Sequence, residues 1–219
     1  MRFYRARVRT LLFAAAGLAC SVVFGLNGAA GQDDNAVRLV RVEETWELQL
    51  ADPDANTTAP QVTCAFAPLR DLDSLHATFE LNHQATPEFS PGGLHLHVWN
   101  GDQRVESRHE GTASLSTADE LVRWKQTLTL SDDTLVFEIS DGSSSTWGAF
   151  GGEQRLRIVV PTTLESLNAY SPATSVKQSG VGFAGNRVIR LALSHVKAVT
   201  NNGLVFEDAT DHVVHQRSE

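Results

Sequence analysis

Two histidines and a tryptophan alternate in Leu94-His95-Leu96-His97-Val98-Trp99. In an extended strand that spacing sends His95, His97 and Trp99 to one side and the aliphatic trio to the other. Three readings suit such a face. Imidazoles two residues apart are two of the ligands a metal ion needs, although His76, His83 and His109 can join them only through the fold. An indole beside imidazoles suits a sugar, because aromatic faces stack on C–H surfaces while ring nitrogens supply hydrogen bonds. The third is a solvent-facing polar side of a sheet with an exposed Trp.

A second group lies in Ser143–Gly152, where Trp147 and Phe150 stand among serines and glycines. Glycine lets a ligand or another backbone come close, so the two aromatics can line a ligand site or form a flap over the end of a core. Asp52, Asp54 and Asn56 alternate in a Pro-rich loop, a spacing that allows oxygen ligands to wrap calcium. The EF-hand pattern fails there, with Thr57 in place of Gly and Thr63 in place of the bidentate Glu. Calcium is the one cofactor the sequence suggests, and a solvated turn is the alternative.

Other chemistry finds little support. Cys64 lies in phase with Val62 and Phe66, which reads as a buried, inert thiol. Gly180-Val181-Gly182-Phe183-Ala184-Gly185 matches a dinucleotide fingerprint in letters, but a Ser/Pro/Lys/Gln-rich loop precedes it and a strand pattern follows, so no helix N-terminus is expected to meet a phosphate. A glycosidase needs two carboxyl groups at a set separation. Glu43 and Glu44 point to opposite faces of a strand, and Glu138 and Asp141 straddle a turn signal. No catalytic residue is assigned.

Period-two alternation dominates the elements that would position these groups. Strands are expected over 37–50, 62–66, 75–81, 94–99, 103–108, 121–130, 134–140, 156–160, 187–199 and 204–206. Along the first, Val40, Val42, Trp46, Leu48 and Leu50 share a parity that Glu44 interrupts. Asn100-Gly101-Asp102 and Asn201-Asn202-Gly203 are hairpin turn signals, and Asp141-Gly142 is a further turn signal. One helical turn is expected over 162–168, a frayed tail from Asp208. About ten short strands with turn residues between them point to an all-β fold, a two-sheet antiparallel β-sandwich of jelly-roll or lectin-like type.

Arg2, Arg5, Arg7 and Arg9, the apolar run Leu11–Leu26 and the small residues Gly28–Gly31 read as a signal peptide over 1–31, followed by one sandwich domain over 32–219. Cys20 lacks the large apolar residue expected three places before a lipidated cysteine. Removing 1–31 takes four of the 18 basic residues and none of the 26 acidic ones, moving the formal net charge from −8 to −12. Such a charge opposes nucleic acid and anionic lipid. It also leaves Cys64 alone, so no intrachain disulfide is expected, and no stable membrane span remains after cleavage.

The stretches Val42–Leu48, Phe79–His83, Thr146–Gly152 and Gly182–Arg187 together resemble a group of functionally uncharacterised exported proteins of planctomycete bacteria. That resemblance implies export and brings no activity, ligand or catalytic residue with it. More loosely, the chain is similar to concanavalin-type and laminin-G-type sandwiches. The expectation is an exported non-catalytic binding module in the periplasm, on the cell surface or outside the cell. Its ligand class is carbohydrate, with His95, His97 and Trp99 or Trp147 and Phe150 as the contact residues. A structural or protein-interaction component of the cell envelope is the alternative, and a polysaccharide-active hydrolase the third reading.

Overall fold

The computed structural model describes residues 36–51, 60–82, 93–111, 113, 115, 119–183 and 185–218. The expected signal peptide, His83 and the Asp52/Asp54/Asn56 loop lie outside the described residues. The chain opens with β1 (Leu39–Leu50), β2 (Gln61–Phe66), β3 (Leu75–Leu81), β4 (Leu94–Asn100) and β5 (Gln103–Glu110). It continues through β6 (Leu121–Ser131), β7 (Thr134–Ser144), β8 (Gly148–Phe150) and β9 (Arg157–Pro161). Helix α1 (Pro172–Gln178) then leads into β10 (Gly180–Phe183), β11 (Val188–Thr200), β12 (Val205–Asp208) and β13 (His212–Gln216).

These strands form two antiparallel sheets packed against each other, a β-sandwich. The eight-stranded sheet runs β12-β11-β1-β6-β7-β8, with β13 also on β11 and β9 also on β7. The five-stranded sheet runs β10-β2-β3-β4-β5. In β1, Val42, Trp46, Leu48 and Leu50 are buried, while Glu43 and Glu47 face outward and pair with Lys125 and Arg123 at 3.3 and 3.0 Å. Apolar area is thus removed from water on one face only, and the alternation fixes the register.

Aromatics join the two layers. Trp46 and Trp124 oppose each other in register, with near-parallel rings 6.3 Å apart. Phe79 reaches across from β3 to Trp124 at 5.7 Å, and Phe66 from β2 meets Phe137 edge-on at 5.6 Å.

Three local expectations change. Asp141-Gly142 makes a β-bulge rather than a turn: Arg123 pairs with Ser143 and Lys125 with Ser140, so two residues oppose one, and Asp141 takes a φ of 51°. Strand β7 therefore continues to Ser144. Residues 162–168 hold no helix; the helix is α1, begun by Pro172 at its first turn. Its buried residues are Thr174 and Ser175, so it shows no hydrophobic period to read. The tail past Asp208 is also ordered, because β13 pairs with β11 from Arg190 to Leu193.

Glu44, the interruption in the first strand, points inward with its apolar neighbours and is 1% exposed. Its carboxylate accepts hydrogen bonds from Trp46 Nε1 at 2.9 Å, Tyr170 OH at 2.8 Å and Ser175 Oγ at 2.5 Å. Burial raises its pKa above the usual carboxylate value of 4.5, and the three donors oppose that rise in part. Gln126 stands opposite Glu44 in register, also buried, and neither amide atom has a partner among the described residues.

The raised pKa means that the folded state holds the Glu44 proton more tightly than the unfolded chain. The stabilisation this gives is complete below pH 4.5 and is lost as pH rises through the native value. In denaturant titrations the wild type should therefore gain stability relative to Glu44→Gln as pH falls toward 4.5, and a constant difference would refute the assignment. Glu44→Ala strands three buried donors and should cost about 3 kcal/mol. Gln126→Met removes an unpaired amide and should add about 1 kcal/mol, read from the same titrations.

Candidate functional site

Register in the five-stranded sheet builds the outer face row by row, since residues directly opposite share a side. His76, Trp99 and Arg104 form one row, Thr78, His97 and Ser107 the next, and Glu80, His95 and His109 the third. The spacing within β4 thus assembles a larger polar field with His76 and His109, as only the fold could arrange. The rings of His109, His95, His97 and Trp99 follow one another at 6.0, 5.9 and 6.0 Å. His97 Nε2 lies 3.9 Å from the Glu80 carboxylate.

Depth divides this field. His95 and His97 are 5% and 2% exposed, so they lie beneath the surface rather than on the solvent-facing side the alternation suggests. Trp99 is half-buried, and Arg104 and His109 on β5 are exposed. Trp99 is held by its indole N–H, which donates to Thr78 Oγ1 at 3.0 Å, and by the edge-on ring of His97. A ligand on this face would meet Trp99, Arg104 and His109 first, with Thr78 and His97 holding the tryptophan in place.

Trp147 and Phe150 occupy a different place and play different parts. Phe150 belongs to the core: it is 3% exposed and packs on Phe79 at 6.3 Å. Its ring fills the space a side chain at Gly142 would need, so the bulge glycine and the phenyl ring fit one another. This burial corrects the expectation that Phe150 lines a ligand surface. Trp147 is half-buried, meets Phe150 edge-on at 6.3 Å and donates its indole N–H to the Ala113 carbonyl at 2.9 Å. It is the outer plate of a flap.

Two carboxylates bolt that flap. Glu120, 1% exposed, accepts from Ser144 Oγ, from Thr146 N at 2.8 Å and from Thr146 Oγ1 at 2.6 Å. Glu110 accepts from Gly151 N at 2.9 Å and pairs with Arg155 at 3.4 Å. Gly151 itself has a φ of 74°, and a Cβ there would come within 2.5 Å of the Ile139 carbonyl. Neither role carried a local sequence signal, because the partners lie 26 and 41 residues away.

The remaining candidates resolve as follows. Cys64 is fully buried, and burial pushes its thiol well above the usual range, an unreactive setting. The glycines at 180–185 lead through a single 3-10 turn at Gly185–Arg187 into β11, with no helix after them. Among the described residues no group of three or more His, Cys, Asp or Glu side chains is placed to hold a metal ion. A shallow cleft of about 430 Å³ opens at one end of the eight-stranded sheet, between Arg38, Asp132, Asp133 and Glu165 over Leu130. None of the candidate binding or metal-ligating residues lines it. Among the described residues no helix is long and apolar enough to cross a membrane.

No protein-family model and no curated protein matches the chain.

Removing the Glu120 carboxylate frees Ser144 and Thr146 and loosens the loop that carries Trp147. Glu120→Ala should lower stability by about 2 kcal/mol and shift Trp147 emission to longer wavelength. Unchanged emission, compared with Trp147→Phe in both backgrounds, would show that the carboxylate does not hold the flap.

Proposed function

We propose that the protein is an exported, non-catalytic binding module for polysaccharide, with its contact face on the outer side of the five-stranded sheet around Trp99. The observation that carries this reading is the fixed, half-exposed indole at the end of a row of imidazoles. A ring held from below by Thr78 and His97 spends little conformational freedom on binding, so its stacking energy goes into affinity. Arg104 stands opposite it with donors suited to sugar hydroxyls, and His109 lies two rows along the same face.

Export rests on the basic and then apolar N-terminal sequence. A non-catalytic role is supported by the use of Glu44, Glu110 and Glu120, each of which holds structure together. A glycosidase would keep two carboxyl groups open to the bond.

The test is affinity electrophoresis of wild type, Trp99→Ala and Trp147→Ala in gels containing soluble glucans, xylan, mannan and pectin. A polymer that retards the wild type should retard Trp99→Ala at least about tenfold less, with Trp147→Ala close to wild type. Retardation lost in Trp147→Ala and kept in Trp99→Ala would move the site to the flap. No retardation by any polymer would sink the polysaccharide reading.

A further inference from the structure

The cleft at one end of the eight-stranded sheet combines apolar lining with charge of both signs. Three segments form it. Arg38 lies just before β1 and Val40 within it, Leu130, Asp132 and Asp133 come from the β6–β7 turn, and Thr162 to Glu165 follow β9. Sheet order brings them together, since β6 lies between β1 and β7 while β9 pairs with β7. Thr162 N also donates to the Asp133 carbonyl at 2.8 Å, which ties the second segment to the third. Leu130 is buried, and Val40 and Leu164 are half-buried.

Elsewhere on this sheet charge is matched in pairs: Glu43 with Arg41, Glu47 with Arg123, Asp141 with Lys125. The cleft departs from that habit. Among the described residues, Arg38, Asp132, Asp133 and Glu165 make no ion pair and no side-chain hydrogen bond, although one base and three acids share the lining. A guanidinium offers a fork of N–H donors that matches a carboxylate, and carboxylates beside apolar area match ammonium groups on an aliphatic chain. One base and three acids therefore complement a ligand with one carboxylate and two ammonium groups joined by methylenes. A plain diamine would leave Arg38 without a role, and a neutral amino acid would use only part of the acidic side. We propose that this cleft binds a basic α-amino acid of the lysine type. Its α-carboxylate meets Arg38, its ammonium groups lie among Asp132, Asp133 and Glu165, and its methylenes cover Val40, Leu130 and Leu164. The volume of about 430 Å³ falls within the range of small-molecule sites. Because the cleft is shallow, water and salt screen these charges, and the affinity is about millimolar.

NMR titration of the isotope-labelled exported protein at low ionic strength tests this, with L-lysine, norleucine and cadaverine as probes. Lysine should move the backbone amide signals of Asp133, Thr163 and Leu164 and saturate with a Kd of about 1 mM. Norleucine lacks the side-chain ammonium and cadaverine the carboxylate, so each should bind at least about tenfold more weakly. That series reads both contacts on the wild type, without any substitution. Arg38→Gln should lower lysine affinity to the level of cadaverine. Asp132→Asn with Asp133→Asn should lower it to the level of norleucine, and asparagine tolerates the φ of 50° at Asp132. No shift with lysine up to about 20 mM, more than ten times the expected Kd, overturns the proposal. So does cadaverine binding as tightly as lysine, or an Arg38→Gln variant that binds lysine as the wild type does.

Discussion

A carboxylate inside the sandwich connects parts of the chain that strand pairing alone would leave apart. Glu44 lies on β1, between β11 and β6 in the middle of the larger sheet. Its donors come from Trp46 on the same strand and from Tyr170 and Ser175, which are 126 and 131 residues away. That segment crosses from β9 in one sheet to β10 in the other. A carboxyl group in a dry interior is tolerable only with several hydrogen bonds, so Glu44 requires the crossing to sit where it does. A neighbouring effect follows at Cys64, whose thiol is pushed further up by the Glu44 charge in addition to its own burial.

A related device organises the opposite side of the sandwich. The Asp141–Gly142 bulge redirects β7, and β8 folds back on it from Gly148 to Phe150. Phe150 then lies over a glycine and against Phe79, closing the core, while Glu120 and Glu110 hold the polar ends of the loop. Charge is used inside this protein much as apolar area is, to fix long-range position. Arg187, 2% exposed, does the same by donating to the carbonyls of Leu115 and Ala51.

Two surfaces remain with properties that structure-keeping does not explain. The outer face of the smaller sheet presents an indole packed on the His97 ring and opposite exposed Arg104, with exposed His109 two rows along. The far edge of the larger sheet presents exposed aliphatic side chains at Leu204, Val205 and Val213. They belong to different sheets, so occupation of one does not require the other.

Sequence periodicity determined the class of the fold and most of its strands, because alternation is local: a period of two records which side of a strand leaves water, whatever covers it. The turns at Gly101 and Gly203, with φ of 55° and 82°, were legible for the same local reason. Alternation placed His95, His97 and Trp99 on one face, and Glu44 on the apolar parity. Only the tertiary structure decided what those placements mean. It buried both histidines, put Phe150 in the core, spent Asp141–Gly142 on a bulge, and ordered α1 and β13, whose exposed or polar residues give no hydrophobic signal. Burial depth and hydrogen-bond partners depend on segments up to 165 residues away, and no local pattern encodes which segment that will be.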